Sequence, residues 1–203
     1  MGSQTKITTS ILLIISSFLL YPQSNLDLKD FKLGESKATI LNKSFEQIGY
    51  SEIDDTKLYR FELPDKNAIS VTLDNNKVVY IELDHMEPDA KNTDFLDFKF
   101  TDTKFADIVE KFGSKGFIYK DRNVGKMDDF MYTIECYKIK DTDEVLVFFS
   151  SIKTDDFKNV EGQSDLWKKL GLVSIAIAKE NYLDSIWGKE KQYPKNGSHI
   201  VSF

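Results

Sequence analysis

The chain has 203 residues, 41% of them hydrophobic and 13% aromatic, which is enough apolar side chain for a packed core. It carries 33 acidic residues against 27 Lys and Arg, a formal charge of −6. It therefore lacks the basic footprint that nucleic acid or an anionic membrane requires of a partner, and its single cysteine, Cys136, excludes an internal disulfide.

The first acid is Asp27. Ahead of it stand one basic residue, Lys6, and an apolar run from Ile11 to Leu20 broken only by Ser16 and Ser17. This is the layout of a secretory signal over residues 1–24. An uncleaved N-terminal anchor is the alternative, but the run is short for a membrane span, which needs about 20 apolar residues. No cysteine follows the run, which excludes a lipoprotein anchor there. The expected location is periplasmic or secreted, and the chain meets a membrane only through an uncleaved N-terminus.

Part of the remaining chain is written twice. Phe31-Lys32-Leu33-Gly34-Glu35-Ser36-Lys37 returns as Phe98-Lys99-Phe100-Thr101-Asp102-Thr103-Lys104. Each copy opens a helix-like run followed by short alternating strands, as a duplicated helix-plus-sheet unit would. Unit one covers residues 25–93. Ser36 is a good N-cap for a helix from Lys37 to Gln47, with Ala38, Leu41, Phe45 and Ile48 as its stripe and Gly49 as its stop. Three strands follow, burying Tyr59, Phe61 and Leu63, then Ile69, Val71 and Leu73, then Val79, Ile81 and Leu83. The Asp- and Asn-rich stretches between them read as tight turns.

A polar linker from Asp84 to Asp94 leads to unit two, residues 94–203. Thr103 caps a helix with Phe105, Ile108, Val109 and Phe112 on one side and Gly113 at its end. Strands are predicted over Phe130–Ile139, Glu144–Ile152 and Leu172–Ala178. An insertion, 153–171, with a short helix, separates the last two, and a C-terminal tail closes the unit. The fold class expected is α+β: two tandem helix-plus-antiparallel-sheet units, with the helices on one sheet face and the other face open. On the open face the alternation places Arg60, Glu62 and Tyr80 in unit one, and Glu135, Tyr137 and Phe148 in unit two. Cys136 falls among the inward positions as a structural thiol.

The Phe31–Lys37 opening, followed by helix and strands, resembles the start of small bacterial envelope domains. These are the outer-membrane assembly lipoproteins of the SmpA/OmlA type and the tandem-repeat β-lactamase inhibitor protein. The duplication makes the inhibitor architecture the nearer likeness. Two departures stand out: this chain has neither the disulfide that staples each inhibitor repeat nor the lipidated cysteine of the assembly proteins. The resemblance implies an extracytoplasmic, non-enzymatic protein binder that uses its sheet surface.

Catalytic chemistry is not legible. His85 and His199 have no nucleophile beside them in sequence, and no Gly-x-Ser-x-Gly elbow or phosphate loop occurs. The acidic pairs Asp54-Asp55, Asp128-Asp129 and Asp155-Asp156 lack the spacing of a calcium loop and read as solvated turns. No catalytic residue, metal or cofactor is assigned. Trp167 and Trp187 serve equally as core or as partner anchors. The reading is an exported module that binds a protein partner, a basic enzyme or toxin, as an inhibitor or immunity-type antagonist. The sheet face and segment 153–171 would block the partner sterically, with Arg60, Glu62, Tyr80, Glu135, Tyr137 and Phe148 as contacts. The alternatives are an envelope scaffold or assembly factor, and a small-ligand binder or enzyme.

Overall fold

The computed structural model describes residues 26–53, 55–85, 90, 94–122 and 124–203. The expected signal segment, 1–24, lies outside them, as do residues 86–89 and 91–93 of the expected linker. Among the described residues no helix is long and apolar enough to cross a membrane.

Ser36 caps helix α1 (Lys37–Leu41), its hydroxyl accepting from the Thr39 amide at 3.2 Å. The helix ends there, well short of Gln47. Asn42, Lys43 and Ser44 offer little helix propensity. The chain beyond them gains a row of backbone hydrogen bonds instead, as strand β1 (Glu46–Ile53) on strand β2 (Thr56–Glu62). The helical stripe was a coincidence of spacing, and Leu41 and Ile48 are both exposed. Strands β3 (Ala68–Asp74) and β4 (Lys77–Asp84) complete an antiparallel meander. Asn75 and Asn76 turn it with positive φ, as their short polar side chains allow. A bulge between Thr72 and Leu73 shifts the alternation, so Val78 rather than Val79 joins Ile81 and Leu83 in the core.

A two-residue hairpin, β5 (Asp94–Phe95) and β6 (Phe98–Lys99), precedes helix α2 (Phe105–Phe112). The N-cap is Lys104, whose amide donates to Asp107 at 2.7 Å, while Thr103 accepts from the Lys99 amide. Gly113, at φ 72°, ends the helix in the left-handed conformation. Then come β7 (Ile118–Tyr119), β8 (Val124–Met127) and the long pair β9 (Phe130–Ile139) and β10 (Glu144–Lys153). Helices α3 (Thr154–Phe157) and α4 (Gln163–Lys169) occupy the insertion. Strand β11 (Gly171–Lys179), helix α5 (Glu180–Trp187), β12 (Lys191–Gln192) and β13 (Ile200–Val201) end the chain.

The meanders do not form two tandem helix-plus-sheet units. Their last strands, β4 and β11, pair antiparallel from Asp84↔Ser174 to Tyr80↔Ala178. The result is one nine-stranded sheet in the order β1-β2-β3-β4-β11-β10-β9-β13, with β8 also on β9. Nor is one face left open. Leu28, Phe31, Ile40 and Ile108 cover one side, over Phe61, Val71, Ile81, Leu146 and Ile175. On the other, Leu183 and Trp187 of α5 pack with Tyr119, Val147 and Ala176. A sheet fused through its centre has apolar side chains on both faces there, and water must be kept from both.

Tyr137 and Phe148 belong to the first core, not to a surface. Both are fully buried, and they meet edge to face at 5.9 Å with Phe112 against each. The Tyr137 hydroxyl donates to the Ser114 carbonyl at 2.9 Å. The run Val145–Phe149 is apolar at every position because both faces of β10 are covered, so alternation gives no clue to which side Phe148 takes. Phe148→Ala is expected to destabilise the protein by about 3–5 kcal/mol in chemical denaturation. A change under about 1 kcal/mol would return Phe148 to the surface.

Candidate binding surface

The six residues expected to form one binding face are dispersed by the fold. Glu62 is exposed on β2. Arg60 and Tyr80 lie on the α5 side, while Glu135, Tyr137 and Phe148 point to the opposite side. Tyr80 is largely buried, its ring 5.9 Å from that of Tyr182 on α5. Glu135 is also buried, only 3% exposed. The expected continuous contact surface is therefore absent.

Arg60 and Tyr80 instead belong to a polar network across β2, β4 and β11. The Arg60 guanidinium lies 3.3 Å from Asp84 in a partly buried ion pair. Glu82 accepts from the Tyr80 hydroxyl at 2.6 Å and from Ser174 Oγ at 2.6 Å. Burial, reinforced by the neighbouring Asp84 charge, pushes the Glu82 carboxyl up to about 7. Burial also raises Asp84, against the pull of Arg60. Both oxygens of Glu82 are engaged within the fold, which marks the network as an internal tie between the two meanders.

The histidines do not converge on any reacting group. His85 Nδ1 lies 3.0 Å from Asn67 Oδ1 and its ring rests on Phe100. His199 packs between Tyr193 and Phe117. Among the described residues there is no group of three or more His, Cys, Asp or Glu able to hold a metal ion. Cys136 is buried under α5, and burial holds its thiol well above the usual range. Trp187 is core, while Trp167 on α4 is only partly covered.

The surface that stands out is the free edge of the sheet. At the other end β8 and β13 together cap the outer side of β9. β1 has β2 on one side and no described strand on the other, leaving a row of backbone donors and acceptors facing outward. The strand is exposed along nearly its whole length. Ile53 is 73% exposed and Tyr50 49%, and Leu58 on β2 lies beside Ser51. The Tyr50 hydroxyl donates to Glu52, whose carboxylate also lies 3.4 Å from Lys57. That bond pushes the tyrosine up to about 12. A bulge between Gln47 and Gly49 bends the first part of the strand away, so the regular edge runs from Gly49 to Ile53. The sequence reading missed this edge because Ile48 and Gly49 were assigned to a helix and its stop. The alternation of Ile48, Tyr50 and Glu52 was the signal available.

No family model matches the chain, and no curated protein does. Among solved structures it is similar to an extracellular protein containing a SCP domain from Bacillus anthracis. That match has 15% identity and a TM-score of 0.45, over 86% of this chain and 54% of that one. It is also similar to a cysteine-rich secretory protein from Staphylococcus aureus, with 13% identity and a TM-score of 0.45, over 82% of this chain and 50% of that one. The chain spans about half the length of each. Likeness at this level transfers no function, and the architecture above rests on the strand pairings themselves.

The Glu82 carboxyl sets a pH dependence. Its pKa is raised on folding, so the folded state holds the proton more tightly than the unfolded chain does. Its contribution to stability is full below about 4.5 and is lost as pH rises through about 7. Glu82→Gln is therefore expected to be more stable than wild type in chemical denaturation at pH 8, by at most about 3 kcal/mol, with the difference vanishing near pH 4.5. A variant less stable than wild type at pH 8 would show that the charged form is held favourably.

Proposed function

We propose that this chain is an exported protein-binding module that meets its partner at the free edge of its sheet. It would accept an extended segment of that partner as an added strand along Gly49–Ile53. The observation that carries the reading is β1 itself: an edge strand with no described neighbour on its outer side and with Tyr50 and Ile53 in solvent. In strand addition the backbone supplies the affinity and alternate side chains the selectivity. Glu46 and Glu52 make this edge acidic, as does the net charge of −6, so the segment that fits alternates apolar with basic residues. A basic enzyme or toxin with an extended loop has that chemistry. An antagonist gripping the loop would act by steric cover, now from the sheet edge rather than from the sheet face. Export is supported by the Lys6 and Ile11–Leu20 pattern.

Ile53→Lys changes an exposed site and is expected to alter stability by no more than about 0.5 kcal/mol. It is expected to abolish retention of any partner that the wild-type protein captures from secreted and envelope fractions. A Glu62→Gln control should keep that partner. Retention by Ile53→Lys would overturn the edge assignment. A concentration-dependent dimer of the wild type, lost in Ile53→Lys, would make a second copy the occupant of the edge and displace the partner reading.

A further inference from the structure

A second site lies on the other side of the molecule, where segment 153–171 folds over the ends of β9 and β10. A cleft of about 560 Å³ opens there, within the range of small-molecule sites. Its walls are mostly apolar: Phe105 from α2, Met131 and Ile152 from the sheet, and Leu166, Trp167 and Leu170 from the α4 end. Phe105 and Trp167 meet edge to face at 5.6 Å. Two lining residues are charged, Glu135 and Lys115.

Glu135 is held at the floor of the cleft by β9. Lys115 and Gly116 run directly over the strand, where Phe117 and Cys136 exchange backbone hydrogen bonds. A Cβ at Gly116 would come within 2.3 Å of the Cys136 carbonyl, so only glycine lets the loop approach so closely. The Glu135 carboxylate takes a hydrogen bond from the Gly116 backbone, and its Oε1 lies 3.9 Å from Lys115 Nζ. That is an ion pair but too long for a hydrogen bond. Oε2 is buried and has no hydrogen-bond partner among the described residues. Ser150, opposite Thr133 on the same sheet face, buries a hydroxyl in the same condition. Folding alone selects against such groups, since an apolar residue of the same size would pack there at lower cost.

We propose that this cleft binds a small amphipathic amine. Its apolar body would lie among Phe105, Ile152, Leu166 and Trp167, and its ammonium group would donate to Glu135 Oε2. At pH 8 the carboxyl is ionised, accepts and cannot donate, so the missing partner there is a donor. A carboxylate ligand would set a second anion beside Glu135. An ammonium gains further from the ring faces, as Lys115 does now, its Nζ 4.9 Å from the centre of Trp167 and 5.8 Å from that of Phe105. Lys115 is 36% exposed and free to yield toward solvent when a ligand cation takes its place.

The test is calorimetric titration of the full chain at pH 8 with three probes of one shape: 2-phenylethylamine, 2-phenylethanol and 3-phenylpropionate. The amine is expected to saturate at submillimolar concentration and the other two to bind at least about tenfold more weakly. Burial pushes Glu135 up to about 7; among the lining residues Lys115 is the other charged group and Tyr132 the other titratable one, and burial keeps the neighbouring Cys136 and Tyr137 neutral at these pH values. Amine affinity should therefore rise about tenfold from pH 6 to pH 8. Glu135→Gln should lose that binding and its pH dependence while melting no lower than wild type, and Trp167→Ala should weaken binding through the wall instead. Equal binding of all three probes would reduce the cleft to an apolar cavity. Tighter binding of the carboxylate, or no saturation by the amine at millimolar concentration, would overturn the proposal. Neither result bears on the β1 edge.

Discussion

The pairing of β4 with β11 is the constraint on which the rest depends. Each meander alone is a three- or four-stranded sheet whose β4 or β11 edge would be unpaired. Joined in register from Asp84↔Ser174 to Tyr80↔Ala178, they share one hydrogen-bonded ladder. The seam also fixes what covers it. Ile81, Leu83, Ile175 and Ile177 form one continuous apolar floor, on which the turn from Leu28 to Phe31, α1 and α2 rest. On the reverse side β11 presents Ala176 and Ala178, small enough for α5 to lie close, with Leu183 and Trp187 reaching across to Tyr119 and Val147. The tail is tied back in the same region, where Lys191 lies 2.7 Å from both Glu180 and Asp184.

The fusion dictates where interaction surfaces can remain. A central strand has both edges paired and both faces covered, so free backbone survives only at the ends of the sheet. At the β9 end two short strands, β8 and β13, and the loop at Lys115–Phe117 close much of the exposed ladder and side. At the β1 end the bulge at Gln47–Gly49 and the acidic side chains are the protection present, and natural proteins use both devices against indiscriminate pairing. What they leave as a regular unpaired edge is Gly49–Ile53.

Individual strands were legible because their alternation is local: Phe130–Ile139 was read with the bounds that β9 has. The seam was not, because nothing within β4 or β11 records that they are neighbours across 92 residues from Glu82 to Ser174. From that omission came the expectation of an open face. Two separate sheets would each have an open face, so outward positions such as Tyr137 and Phe148 read as surface. In one fused sheet both faces are covered, so Tyr137 and Phe148 join the core that holds Ile81 and Ile175, and a register shift such as that at Thr72–Leu73 moves other positions to the opposite side. The two helix stops show the same limit on a smaller scale. Gly113 ends a real helix, whereas Gly49 sits in an edge strand, and spacing alone cannot separate them. The insertion 153–171 was visible as an interruption, but the cleft beneath it depends on Lys115, Met131 and Ile152, which only the folded chain brings together.

The buried carboxylates of this sheet divide by how they are satisfied. Glu82 holds two hydroxyl donors, and Glu144 faces Lys179 at 3.1 Å in an ion pair shared with Asp143. Each of these ties one element to another, Glu82 through neutral hydroxyls and Glu144 through the Lys179 cation. Glu135 differs. Its ion pair is long, one oxygen is unmet, and the residue lines a cleft. An acid whose bonds are complete serves the fold that completes them. An acid buried with a bond still to make, behind an aromatic wall, costs the fold stability, and that cost has a physical purpose only if something outside the chain supplies the donor.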